Sequence, residues 1–236
     1  MKSDKEIFVI SLGGSLIVPK TGIDWSFLKK FKELLITQIK NGKRFVIVTG
    51  GGNTARIYQE AASRAALLTD DDRDWIGVHS TRLNAHLIKT IFRRYAHPRV
   101  NKNPRTKEDL KKHFTHNEGI MVAAGWRPGW STDYVATVLA ERLDAKTVIN
   151  LSNIDYAYTR DPNKYKTAEK LINTNWKFFR KVVGNKWDPG LNSPFDPIAS
   201  KHAEKLGLKV IIVNGKKLGN LKNVLEGKKY QGTTIE

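Results

Sequence analysis

Phe45-Val-Ile-Val-Thr-Gly-Gly-Gly-Asn-Thr-Ala-Arg56 passes from an unbroken apolar run, through three successive glycines, into a stretch of helical periodicity. The junction is that of a buried strand with a helix, and the glycines leave bare backbone at the strand's mouth. A side chain at Gly50, Gly51 or Gly52 would hold an anion away. Glycine instead lets amide N–H groups and the positive end of the following helix reach it, as phosphate binding requires. The arrangement occurs twice, because the apolar run Ile7-Phe-Val-Ile10 leads to Gly13-Gly14-Ser15. Two cradles predict two phosphorylated ligands. The alternative for either one alone is an ordinary tight turn of an α/β domain.

Beyond these junctions, apolar runs keep alternating with amphipathic stretches. Helices are expected near 24–40, 54–66, 72–95, 132–143 and 197–206, and strands over 119–124, 147–151 and 209–213. Short continuous strands separated by helices predict a three-layer α/β/α sandwich around a mainly parallel sheet. Asn41-Gly42 and Leu206-Gly207 stand where helices should stop, and Ser131-Thr132-Asp133 has N-cap chemistry where one should start. Residues 96–117 and 159–194 are polar, basic and dotted with proline, and are expected to be loop or excursion rather than a separate domain.

A chain of 236 residues, 40% of them apolar, has enough material for one core, so one domain is expected. No window approaches the roughly 18 apolar residues of a membrane span, and no apolar signal core follows the N-terminus, so the cytoplasm is the expected compartment. The absence of cysteine excludes disulfides and thiolate chemistry, and the six histidines form no H-x-x-x-H pair, so no protein-built metal site is expected. Lys plus Arg number 41 against 23 Asp plus Glu, a net charge of +18 that calls for an anionic partner or a heavily solvated surface. The excess is spread over 99–112, 164–186 and 216–229, which leaves both an RNA or DNA partner and plain solvation open.

Neither G-x-x-x-x-G-K-[ST] nor G-x-G-x-x-G is present. The informative signal is an ordered set: Leu12-Gly-Gly-Ser-Leu16, Thr49-Gly-Gly-Gly-Asn53 with Thr54-Ala-Arg56, Asp74-Trp-Ile-Gly77, Gly125-Trp-Arg-Pro-Gly-Trp-Ser-Thr-Asp133, Ser152-Asn-Ile-Asp155 with Tyr158-Thr-Arg-Asp-Pro162, Asp196-Pro-Ile-Ala199, and Gly232-Thr-Thr-Ile235. Together these resemble the amino acid kinase family, and within it the archaeal uridylate kinase branch. The resemblance implies a single domain with an acceptor-nucleotide lobe over about 1–145 and an ATP-binding lobe over about 146–236. It also implies transfer of the γ-phosphoryl group of ATP, with Mg²⁺, onto the phosphate of UMP, and a homo-oligomer, a hexamer built from dimers.

By the same resemblance Gly13, Gly14 and Ser15 hold the ATP phosphates, while Gly51 and Gly52 sit by the transferred group and the acceptor phosphate. Arg56 would place a guanidinium over those oxygens, its alternative being a solvated helix residue. Asp74 is expected on the acceptor ribose, and Trp126, Arg127, Pro128, Gly129, Trp130, Ser131 and Thr132 around the acceptor base and phosphate. Ser152, Tyr158 and Asp161 would hold the ATP base and ribose, although Tyr158 is equally readable as a packed aromatic. Asp155 would orient cationic groups around the transferring phosphoryl, which makes Asp155, Arg56 and Gly14 the expected catalytic set. No strong base is needed, because the acceptor phosphate is already largely dianionic at neutral pH.

The chain departs from the pattern in places. Ser11 stands where many family members carry a lysine, and Lys20, Arg160, Lys164 and Lys201 are candidates to supply that charge. Trp126-Arg-Pro-Gly-Trp130 replaces Thr-His-Pro-Gly-His, Asn53 replaces a frequent Lys, and Tyr156 replaces a Gly. A different phosphorylated acceptor, or a catalytically reduced protein that binds nucleotide or nucleic acid, therefore stands beside UMP phosphorylation.

Overall fold

The computed structural model describes residues 6–104, 106–114, 118–184 and 193–236. Parts of the expected loops and basic segments, namely Arg105, 115–117 and 185–192, lie outside them. The apolar runs form the strands β1 (Ile7–Leu12), β2 (Arg44–Thr49), β3 (Ile120–Ala123), β4 (Thr147–Ser152) and β8 (Lys209–Asn214). They pair in the order β3-β2-β1-β4-β8, all parallel. Along β1 the side chains alternate between two cores: Phe8, Ile10 and Leu12 join one, Val9 the other. That alternation is why a strand covered on both faces is apolar throughout.

One face is covered by α2 (Trp25–Lys40), α4 (Asp70–Phe92) and α9 (Leu218–Leu225), the other by α6 (Thr132–Arg142), α7 (Trp176–Val183) and α8 (Pro197–Leu206). The remaining helices are α1 (Gly14–Ile17), α3 (Gly52–Ala65) and α5 (Lys107–Lys111). The expected caps form: Ser131 Oγ accepts from the Tyr134 N–H at 3.0 Å, Asn41 and Gly42, the latter at φ +88°, end α2, and Gly207 closes α8 at φ +59°. Asp24, which no motif marks, caps the start of α2 by accepting from the Phe27 N–H.

Residues 159–194 hold more structure than expected. β6 (Lys170–Leu171) pairs antiparallel with β5 (Ala157–Tyr158), β7 (Asn173–Thr174) joins the edge of the main sheet, and α7 packs Trp176 and Phe179 into the core. β9 (Thr233–Ile235) runs antiparallel to β8, and α9 precedes it. These elements are two to eight residues long, too short for a periodicity to announce them. Thr233, fully buried, explains part of the terminal motif: its Oγ1 accepts from the Ala157 N–H at 2.9 Å and holds β5 against the sheet.

Register places the site. Leu12 lies opposite both Thr49 and Leu151, and Ser152 opposite Asn214, so the carboxyl ends of four strands are level. The chain fills the sheet outward from β1 to β2 and β3, then returns to the other side of β1 with β4 and β8. Such a switch point opens a crevice beyond the strand ends, where α/β sheets take their ligands. Among the described residues no helix is long and apolar enough to cross a membrane.

Candidate active site

Both glycine turns lie at that edge, and their backbones touch. A Cβ on Gly14 would fall 2.0 Å from the Gly52 nitrogen and 2.7 Å from the Gly50 carbonyl carbon, and one on Gly52 would fall 2.3 Å from the Gly14 oxygen. Gly52 also has φ +62°. The passage of one turn against the other thus requires glycine at both positions and leaves the backbone amides bare.

A cavity of about 310 Å³ opens beside this junction, between the start of α3, the first three turns of α4 and the loop that leads into α6. Gly51, Gly52, Ala55 and Arg56 form one wall, Asp74, Gly77, Val78 and Thr81 the floor, and Gly125, Arg127, Pro128, Gly129, Trp130, Ser131 and Thr132 the facing wall. The first residues of α3 and α6 both line it, so two positive helix ends favour an anion there. Ten of the residues expected on the acceptor side line one cavity, although they are scattered from position 51 to 132.

Trp126 does not line it. Its carbonyl accepts from Arg82 Nη2 at 2.8 Å, and its indole packs edge-on to Trp130, with centroids 4.5 Å apart. Trp130 in turn meets Tyr134 at 4.6 Å, and the Arg127 guanidinium lies 4.8 Å from the Trp126 ring and 5.0 Å from Trp130. Asp74 clips this loop to α4, its Oδ2 accepting from the Gly129 N–H at 2.8 Å.

On the other side of β1, Ser152 ends β4, and its carbonyl accepts from the Gly215 N–H at 2.8 Å. Asp155 carries an ion pair with Lys217 at 2.8 Å and accepts from Asn214 Nδ2 at 3.0 Å, and these donors hold its carboxyl below the usual range. Tyr158 is half-buried in β5. Asp161 shapes the turn after it: its Oδ1 accepts from the Asn163 N–H, its carbonyl from the Lys164 and Tyr165 N–H groups. Of the four cations expected to stand in for the missing lysine, Arg160 stacks over Tyr165 at 5.4 Å. Lys217, which no motif marks, is the one bonded to Asp155.

Asp133 is the other residue that sequence alone understates. Its Oδ1 accepts from Ser11 Oγ at 2.8 Å and from Asn150 Nδ2 at 3.0 Å, and its Oδ2 from the Asp196 N–H at 3.2 Å. One carboxylate thereby joins β1, β4, α6 and α8 beneath the glycine turns. Burial pushes its pKa up to about 6 against the hydrogen bonds from Ser11 and the Asp196 N–H, and the neighbouring Asp196 charge adds to the rise. Asp196 is raised as well, by burial first, although the Ala199 N–H and Ser131 oppose it. Position 11 thus has a definite neighbour, and the side chain there meets an acid.

The sequence profile of the amino acid kinase family matches residues 6–214. The chain belongs to this family. The uridylate kinase of Thermoplasma volcanium is 36% identical over 232 residues, 98% of each chain. That of Pyrococcus abyssi is 33% identical, covering 97% of this chain and 98% of its own. The crystal structure of uridylate kinase from Archaeoglobus fulgidus superposes with a TM-score of 0.81 at 28% identity, over 97% of this chain and 99% of that one. The fold of this amino acid kinase, a largely parallel seven-stranded sheet between helices, is accordingly that of the uridylate kinase structures.

Proposed function

We propose that the protein transfers the γ-phosphoryl group of ATP to the phosphate of UMP, giving ADP and UDP, in the cytoplasm. The observation that carries this is the contact between the two glycine turns beside a cavity of nucleotide size. Two polyanions must meet end to end with little charge repulsion, and touching turns of bare amide donors bring a donor site and an acceptor site to one point. In this scheme Gly13, Gly14 and Ser15 receive the ATP phosphates. Gly51, Gly52 and Arg56, with the positive end of α6 at Thr132, receive the acceptor phosphate. Asp74 takes the acceptor ribose with its remaining oxygen. Ser152, Tyr158 and Asp161 take the adenosine, and Asp155 aims Lys217.

ATP enters as its Mg²⁺ complex, the ion offsetting charge on the transferring oxygens. Among the described residues no group of three or more His, Asp or Glu is placed to hold a metal. Incubation with ATP, Mg²⁺ and each of UMP, CMP, AMP and GMP tests the reaction. UDP and ADP are expected with UMP, and absence of ADP release with every acceptor defeats the proposal.

We also infer self-association. α3 buries none of its residues, and Ile57 and Tyr58 on it are 55% and 64% exposed. That apolar face suits a second copy of the chain. Light scattering should find a dimer or a multiple of it for the wild type and smaller species for Ile57→Glu, whereas a monomer at every concentration rules this out.

A further inference from the structure

We infer that Arg127 is the specificity-determining residue of the acceptor cavity and that it selects uracil over cytosine through position 4 of the base. This rests on the assignment of that cavity to the acceptor nucleotide. The phosphate end of the acceptor is placed at Gly51 and Gly52, on the turn whose Gly50 and Gly52 meet the Gly14 turn. Arg56 is one helical turn from those glycines and serves that end. Arg127 lies across the cavity, at the tip of the loop between β3 and α6, where Pro128 and Gly129 also line the wall. With the ribose at Asp74, which is bonded to this tip through Gly129, the base continues onto the tip. Position 4 of a pyrimidine is opposite the glycosidic nitrogen, so it is the part furthest from the sugar.

The indoles do not offer themselves as open stacking platforms. Trp126 is outside the cavity wall, Trp130 is packed between Trp126 and Tyr134, and both carry the Arg127 guanidinium within 5.0 Å. Their effect is to hold a planar cation still at the mouth, which lowers the entropy lost when it binds. A guanidinium has five N–H donors and no acceptor. Uracil presents a carbonyl at position 4 and cytosine an amino group. The first pairs with Arg127, and the second leaves two donors facing each other without partners, a mismatch that disfavours cytosine.

The test is calorimetric binding of UMP and CMP to the full chain, which requires no turnover, with UMP and CMP kinase rates measured in parallel. The wild type should bind UMP at least tenfold more tightly than CMP. Arg127→Ala should bring the two dissociation constants within about threefold, with UMP weakened and CMP unchanged or improved, and Arg127→Lys, which keeps the charge over the indoles, should fall between. Thermal melting of each variant shows that the loop still folds, and the Lys variant carries the test where the Ala variant melts early. A wild type that binds and phosphorylates both pyrimidines equally overturns the role of Arg127 and leaves the kinase proposal standing. An unchanged preference in both variants does the same. Failure of the wild type to bind any nucleoside monophosphate overturns the kinase proposal, and this one with it.

Discussion

Gly14→Ala is expected to slow phosphoryl transfer by about 10²-fold or more and to destabilise the fold by about 3 kcal/mol or more, the upper part of the range for overpacked sites. The added methyl would stand 2.0 Å from the Gly52 nitrogen, 2.6 Å from its Cα and 2.7 Å from the Gly50 carbonyl carbon. All three are backbone atoms, so no rotamer change relieves the clash. One glycine turn has to move off the other. An ångström of separation between donor and acceptor cradles is enough to cost about 10²-fold in rate, because alignment is most of what the protein contributes to this chemistry. Gly219→Ala is the matched control: it adds the same methyl in α9, where a Cβ meets nothing within 4 Å. Chemical denaturation and initial rates of ADP formation on both variants check the prediction, and a Gly14→Ala protein with native midpoint and rate would show that the turns do not interlock.

The strands and long helices were legible because burial leaves a plain record. A strand covered on both faces must be apolar at every position, as Val46, Ile47 and Val48 are, and a helix with one dry face repeats its apolar residues every three or four positions. The glycine turns were legible for a similar reason, since few environments tolerate three glycines between a strand and a helix. Their mutual contact was not, because Gly14 and Gly52 are 38 residues apart and nothing in either motif encodes the other. α7 and β9 escaped detection because eight and three residues carry too little pattern, and Thr233 is understood only once Ala157 is beside it.

The proposed acceptor cavity illustrates both sides. The motif order named the residues that line it, yet the tryptophans expected around the acceptor base are partners of each other and of Arg127. Side-chain chemistry can be read from sequence, but the direction in which an indole faces depends on a neighbour four positions away and on Tyr134 in the next helix. Lys217 shows the same limit, being one lysine among many until Asp155 singles it out.

Asp133 should make the protein lose stability as pH rises through the weakly acidic range, against the usual trend for a carboxyl group. Its pKa is about 6 in the folded chain against 3.8 for an ordinary aspartate, so the folded state holds the proton more tightly than the unfolded state does. The stabilisation this linkage supplies is complete below about pH 4 and is gone once pH has passed about 6. Two pH units at about 1.4 kcal/mol each make the swing roughly 3 kcal/mol. Other groups titrate over the same interval, and the paired Asp155 changes in the opposite sense, so the quantity to measure is a difference. Unfolding free energies of wild type and Asp133→Asn at pH 4 and pH 7.5 should differ by about 3 kcal/mol more at the lower pH, on top of a constant cost from the amide group set against the Asp196 N–H. Ser11→Lys carries the reasoning further. An ammonium at that position would meet the carboxylate Oδ1 that Ser11 now reaches at 2.8 Å, favour its charged form and flatten the slope. A gap between wild type and Asp133→Asn that stays constant from pH 4 to pH 7.5 would mean that Asp133 titrates normally, and that Ser11 and Asn150 compensate its burial in full.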